Sequence, residues 1–315
     1  MHGWLIIDKP LGLGSTDVVT HVKRALRQGG YPRVKVGHGG TLDPLASGVL
    51  PIALGEATKL SGRMLDADKV YDFTIRFGEE TSTLDGEGEV VATSDTRPTH
   101  AQVEAVLARF TGPIEQVPPI YSALKVGGKR AYELARAGEA VELTARNVTI
   151  HSLSVLPEQS REASAGAGFS TALGTNGVED PLDELTLTAR VSKGTYIRSL
   201  ARDIAYALDT AGHVTMLRRT KAGPFTLAEA ISLDSLAQSA MARGLEKALL
   251  PLAAGLDDIP ALSVTPDQAG ALRQGRKLIG IAARPGLHLA IEDASPVALV
   301  EIEGPELRVV RGFNL

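Results

Sequence analysis

Apolar residues at Val18, Val19, Val22, Ala25 and Leu26 recur with the 3.6-residue period of one helix face, and Gly29-Gly30 ends the run. The pattern predicts a helix over 17–27. A second helix is expected over 100–110. Thr99 stands three positions before Gln102 as a capping box, Val103, Val106, Leu107 and Phe110 form the buried face, and Gly112 follows. Ile197, Leu200, Ala201, Ile204 and Leu208 predict a third over 196–208. The period changes to two at Val70 to Phe77, where Tyr71, Phe73, Ile75 and Phe77 alternate with Asp72, Thr74 and Arg76. That alternation predicts a strand with one apolar and one wet face.

Thr149 to Leu156 and Leu185 to Val191 also read as strands. Residues 157–184 between them are rich in Ser, Ala, Gly and acids without any period, as in a surface loop or disordered insertion. Near the end, Leu278 to Ile281, Leu287 to Ile291, Val297 to Ile302 and Leu307 to Val310 form short β runs separated by Pro285-Gly286 and Gly304-Pro305. These predict a small all-β module, with a linker near Gly255 to Pro260. The expected division is 1–256 and 257–315.

Composition narrows the function classes. A chain of 315 residues, 43 % apolar and 22 % charged, suits about two globular domains. No apolar run approaches the roughly 20 residues that span a bilayer, and the first ten residues lack the features of a secretory leader. A cytoplasmic protein without membrane association is expected. The absence of cysteine excludes thiolate nucleophiles and Cys-based zinc sites. The seven histidines form no i, i+4 pair, and P-loop, dinucleotide-binding and nucleophile-elbow motifs are missing. The net charge of −4 is unevenly spread: 157–184 carry −5, whereas 193–221 carry +4 and 17–43 carry +3. Such basic stretches can meet a phosphate backbone whatever the total charge.

The candidate chemistry centres on Val36 to Leu50. Asp43 stands in a turn with Gly37, Gly39 and Gly40, and Pro44 biases it away from helical angles. A structural turn explains the same residue types; presentation of a carboxylate to a ligand is the other reading. Arg198 lies in Lys193-Gly194-Thr195-Tyr196-Ile197-Arg198, in the first turn of a helix, where a cation opposes the macrodipole by roughly 0.3–1 kcal/mol. A carboxylate or phosphate partner would offset that cost. Tyr71, one of 13 aromatic residues, suits either core packing or stacking on an extruded base. Pro118 to Gly138 interleaves Tyr121 and Tyr132 with Lys125, Lys129, Arg130 and Arg136, a composition found on nucleic-acid surfaces and on ordinary exposed helices alike.

Together these segments resemble the TruB family of tRNA pseudouridine synthases. The resemblance runs from Ile6-Ile7-Asp8-Lys9-Pro10 through Gly37 to Gly48, Val70-Tyr71 and Thr81-Ser82-Thr83-Leu84-Asp85. It continues through Pro118 to Gly138 and Lys193 to Arg198, and ends at Leu217-Arg218-Arg219-Thr220. It implies an α+β fold, a mixed and mainly antiparallel sheet with flanking helices, followed by a PUA-like β domain. It also implies conversion of uridine to pseudouridine at position 55 in the T-arm loop of tRNA, without a cofactor, by a monomer.

On this resemblance Asp43 is the essential aspartate, Tyr71 stacks on the target base, and Arg198 pairs with Asp43. Lys9 belongs to a motif that supports the loop. The expected substrate contacts are His38, Gly39, Lys9, Tyr121, Lys125, Tyr132, Lys193, Tyr196, Leu217 and Arg218. Ser82 departs from the family pattern, standing where many relatives carry Asp; Gly14 and Gly39 also replace commoner residues. A tRNA-binding module without catalysis is the main alternative. A glycoside hydrolase would need a second carboxylate, for which Asp85 is the nearby candidate.

Overall fold

The computed structural model describes residues 1–157 and 180–315. In chain order, β1 (Gly3–Lys9) leads through α1 (Ser15–Gln28) to β2 (Val36–His38), β3 (Ala46–Leu54), α2 (Ser61–Asp66) and β4 (Lys69–Phe77). A ribbon of β5 (Glu79–Thr81) and β6 (Val90–Thr93) precedes α3 (His100–Leu107) and β7 (Gly112–Gln116). The small hairpin β8 (Lys125–Val126) and β9 (Lys129–Arg130) runs into α4 (Ala131–Arg136), followed by β10 (Arg146–Val155) and β11 (Glu184–Val191). Then come α5 (Ile197–Ala207), β12 (Gly212–Ala222), β13 (Phe225–Thr226) and α6 (Leu233–Met241). The C-terminal sheet is built from β14 (Ala261–Ser263), β15 (Leu278–Ile279), β16 (Gly286–Glu292), β17 (Ser295–Glu303) and β18 (Glu306–Gly312), with α7 (Pro266–Arg273) beside it.

The main sheet runs β1-β3-β12-β4-β11-β10-β7, with β2 added to β3 and β13 to β12. Every pair is antiparallel except β3 with β12, so the sheet is mixed and mainly antiparallel. The three helices expected from periodicity form for the reasons read from the sequence. Gln102 N–H donates to Thr99 Oγ1 and Thr99 N–H donates to Gln102 Oε1, closing the capping box of α3. Val18, Val22, Ala25 and Leu26 of α1 pack with Leu5, Ile7, Leu50 and Ile52 on one side of the sheet. Ile197, Leu200, Ala201 and Ile204 of α5 cover Phe73, Ile75 and Leu187.

Two expectations are corrected, and a third gains detail. The face of β4 taken as wet is largely covered: Asp72 and Thr74 are buried, and only Arg76 is exposed. β4 lies in the middle of the sheet between β12 and β11, and Thr74 hydrogen-bonds Thr186 across the ladder at 2.9 Å. Of the segment read as an insertion, 158–179 lie outside the described residues, but its end is structural. Leu182 is buried, Phe77 N–H donates to Asp183 O, and Arg97 binds the Asp183 carboxylate at 3.1 Å. The chain leading into the linker near Gly255 to Pro260 is packed. Leu252 and Leu256 join Trp4, Phe225, Leu289, Leu299 and Phe313 in one apolar cluster, and the Trp4 indole donates to Leu252 O. A Cβ at Gly255 would stand 2.9 Å from the Trp4 ring, so this crossing needs glycine. The β module also contains α7, whose Thr265 and Gln268 make a second capping box.

Candidate active site

The loop before β3 is tied at nearly every main-chain oxygen. Arg219, on β12, donates to Gly40 O and Thr41 O at 3.3 and 3.2 Å and to Val49 O at 2.8 Å. Leu42 N–H donates to Ser15 Oγ, which in turn donates to Leu42 O. Asp43 O accepts from Ala46 N–H, and Pro44 O accepts from Gly12 N–H and from Lys9. These bonds come from four different elements, so the position of Asp43 is determined before its side chain makes any contact.

The Asp43 side chain, 42 % exposed, meets Arg198 with Nη2 to Oδ2 at 2.7 Å. Arg198, at the start of α5, is nearly buried and holds four acceptors. Besides Asp43 these are Asp85 Oδ2 at 3.2 Å, Thr83 O at 2.8 Å and Tyr121 O at 3.0 Å. The unfavourable helix position is thereby explained by two carboxylates. Asp85 was absent from the expected site residues. It is held by Thr83 Oγ1 and Glu87 N–H, and the preceding Leu84 has a φ of +61°. Left-handed backbone at a leucine costs of order 1–3 kcal/mol and persists only where surrounding contacts impose it. Here Leu84 O accepts from Val214 N–H, beside an irregularity between Val214 and Met216 that interrupts pairing with β4.

Two connected clefts share Asp43 and Arg198. The narrower, about 300 Å³, is lined by Tyr71, Leu217, Arg219, Tyr196 and Lys69 among others. Tyr71 is half-buried on the same sheet face as Phe73, so it joins the core and lines the cleft at once. The wider groove, about 1000 Å³, takes His38, Tyr121, Tyr132, Arg130 and Arg136. The Arg136 guanidinium lies 5.7 Å from the centre of the Tyr132 ring. Burial first, and the Arg219 charge second, hold His38 below the ordinary histidine pKa, so its ring is neutral at pH 7. Burial pushes the Tyr196 hydroxyl upward.

Five expected substrate contacts fall elsewhere. Lys9 is fully buried under the loop, donating to the carbonyls of Pro10, Leu13 and Pro44. Gly39 packs on Met64, where a Cβ would come within 2.7 Å. Arg218 points to the other side of the sheet and pairs with Asp8 at 2.8 Å, while its neighbour Arg219 lines the cleft. Lys193 is exposed and pairs with Asp66, and Lys125 is exposed on the hairpin; neither lines either cleft. Arg130, Arg136 and Arg219 stand on the clefts instead. Among the described residues no three His, Asp or Glu side chains converge as a metal site requires.

Two buried lysines give the region a pH signature. Burial is the main cause that lowers Lys9 and Lys69 from 10.5 to about 8. The folded protein releases each proton near pH 8 while the unfolded chain keeps it to about 10.5, so stability rises with pH across that window. Each lysine should contribute about 2 kcal/mol between pH 7.5 and 9.5. Denaturant unfolding of the wild type and Lys9→Met at both pH values checks this; an equal rise in the two proteins would disprove it for Lys9.

Comparison with known proteins places this architecture. A solved structure of a Cbf5-Nop10-Gar1 complex aligns with 99 % of the chain and 85 % of its own at TM-score 0.71 and 25 % identity. An H/ACA RNP bound to a substrate RNA containing 2′-deoxyuridine matches in fold at TM-score 0.70 and 23 % identity. The fold is that of the pseudouridine synthases. The family described as TruB family pseudouridylate synthase (N terminal domain) matches residues 23–197, and the tRNA pseudouridylate synthase B C-terminal domain matches 198–257. The tRNA pseudouridine synthase B of Novosphingobium aromaticivorans is 60 % identical, over 99 % of this chain and 97 % of its own. That of Zymomonas mobilis is 58 % identical, over 100 % and 96 %. The chain belongs to the TruB family of pseudouridylate synthases.

Proposed function

We propose that this protein converts uridine to pseudouridine at position 55 in the T-arm loop of tRNA, with Asp43, Tyr71 and Arg198 as its catalytic residues. The observation that carries the proposal is the Asp43–Arg198 pair at 2.7 Å on the floor of a cleft that also presents Tyr71. The family and the relatives named above support the reaction and the tRNA substrate.

The reaction is an isomerisation. The N1–C1′ bond breaks, the uracil turns, C5 bonds to C1′, C5 loses its proton and N1 gains one. A uridine stacked in a folded loop must first be extruded, at a cost of a few kcal/mol. The wider groove, with tyrosines beside arginines, suits bases and phosphates around the extruded nucleotide. Asp43 then acts on the ribose side, by adding to C1′ or by removing the C2′ proton, with its carboxylate held by Arg198 at 2.7 Å. Tyr71 lies against the base.

Action as a monomer, which the family resemblance implies, is part of the proposal. Residues 1–256 would form the catalytic unit and 257–315 a PUA-like β module fixed to it by the Trp4 cluster. A tRNA substrate makes the cytoplasm its place of work, and no helix of the described residues is long and apolar enough to cross a membrane.

The test is to incubate T-arm stem-loop transcripts with the protein, map pseudouridine by position and follow release of the C5 hydrogen. Modification at position 55 is expected. Binding without any isomerisation would favour the non-catalytic alternative, and free uracil would indicate hydrolysis. RNA affinity should fall with salt by about 0.9 log unit per log unit of salt for each duplex phosphate contacted. A salt-independent affinity would contradict phosphate binding by the arginines.

A further inference from the structure

Arg219 is the largest buried cation that the proposed reaction leaves without a task. It is 1 % exposed, and among the described residues no carboxylate lies within ion-pairing distance of it. A guanidinium removed from water without a counter-ion is costly unless dipoles replace its hydration. Main-chain carbonyls supply those dipoles: Val49 O on β3 and, from the loop, Gly40 O and Thr41 O. Glycines shape the arrangement. A Cβ at Gly48 would stand 2.2 Å from Arg219 O, so only glycine lets β3 lie this close to β12. Gly40, with φ of +145°, carries the chain over the guanidinium.

A trans peptide points its C=O and N–H in opposite directions. With Gly40 O drawn down onto Arg219, the N–H of the same peptide, that of Thr41, is turned away from Arg219. Thr41 lines both clefts, and its N–H makes no hydrogen bond within the described residues. The next peptide, between Thr41 and Leu42, is gripped at its oxygen by Arg219 and at its nitrogen by Ser15. Asp43 follows directly.

We infer that Arg219 is a positioning residue: it sets the 40–42 main chain so that Thr41 N–H and the Asp43 carboxylate face the extruded nucleotide together. The free N–H would take an oxygen acceptor of that nucleotide, a phosphate or sugar oxygen. This rests on the proposed uridine isomerisation, since it assigns Arg219 to the same site. The guanidinium geometry is essential because one planar group serves three carbonyls, whereas a lysine ammonium is a point charge on a flexible stem.

The test is single-turnover pseudouridine formation on a T-arm stem-loop by wild type, Arg219→Met, Arg219→Lys and Arg219→Ala, with RNA dissociation constants measured in parallel. A displacement of about 1 Å in a reacting group can cost about 100-fold in rate. Arg219→Met is expected to lose rate on that scale while its RNA affinity changes less than about 3-fold. Arg219→Lys should recover only part of the rate. Guanidinium at low millimolar concentration should raise the rate of Arg219→Ala, which leaves space for it, and leave that of Arg219→Met unchanged. Circular dichroism and thermal unfolding identify the folded variants, and Arg219→Lys carries the test if the others fail to fold. A folded variant with near-wild-type rate would overturn the inference, as would equal losses of rate and affinity. An inactive wild type would instead overturn the functional proposal.

Discussion

Asp43→Asn should bind T-arm RNA as the wild type does and form pseudouridine slower by about 10⁴-fold or more, the scale on which loss of a reacting carboxylate or nucleophile acts in other enzymes. Asparagine keeps the shape of the side chain but can neither take a proton nor add to C1′. The loop should survive the change, because Arg219, Ser15, Lys9, Gly12 and Ala46 hold it through the main chain. Arg198 also keeps its hold on Asp85, Thr83 O and Tyr121 O. Single-turnover assays with C5-hydrogen release and a filter-binding isotherm measure the two quantities separately. Turnover within tenfold of wild type would remove Asp43 from the chemistry. Rate and affinity falling together would mean that the substitution had disturbed the groove.

Arg198→Ala should have the largest effect on stability, a loss of about 3–5 kcal/mol, the range seen when one member of a buried ion pair is deleted. The two carboxylates bear that loss unequally. Asp85 has a side-chain exposure of 7 % and would be left charged in the interior, whereas Asp43 at 42 % can turn to water. Stability should therefore be partly recovered by combining Arg198→Ala with Asp85→Asn, and not by combining it with Asp43→Asn. Activity should be lost in all three. Denaturant unfolding of the two double variants decides the matter; equal recovery in both would show that burial does not set the cost. Near-normal turnover in Arg198→Ala would show that the ion pair has no part in catalysis.

The local grammar of this chain is readable without coordinates. The capping box at Thr99 and Gln102 forms from neighbours three residues apart, and the apolar stripes of α1 and α5 need only the helical period. α7 carried the same signal at Thr265 and Gln268, with Pro266 in its first turn, yet the run of β signals around it masked the helix. Strand alternation likewise separates Arg218 from Arg219. Adjacent strand residues face opposite sides, so the face that gives Leu217 to the cleft also gives it Arg219 and sends Arg218 to Asp8. That distinction lay in the sequence, and proximity along a motif obscured it.

Other features have no local signature. Nothing near Asp72 or Thr74 says that β4 is a central strand with both faces covered; pairing with β11 and β12 decides it. Lys9, which the resemblance assigns to a motif supporting the loop, has no local sign of burial, and only the folding of the Asp43 loop over it makes it a buried donor. Asp85 stands in the sequence only as a nearby second carboxylate, until α5 brings Arg198 against it from 113 positions away.

By itself the sequence determined α1, α3 and α5, the strands β4, β10 and β11 and the glycine-bordered turn that carries Asp43, because each depends on residues within a few positions of one another; the motifs spread along the chain gave the resemblance that named a chemistry. Beyond Arg198, which the resemblance already paired with Asp43, only the tertiary structure decided which cations serve the site. A guanidinium's role depends on the carbonyls and carboxylates within about 3 Å of it, and long-range strand pairing and helix packing determine which those are.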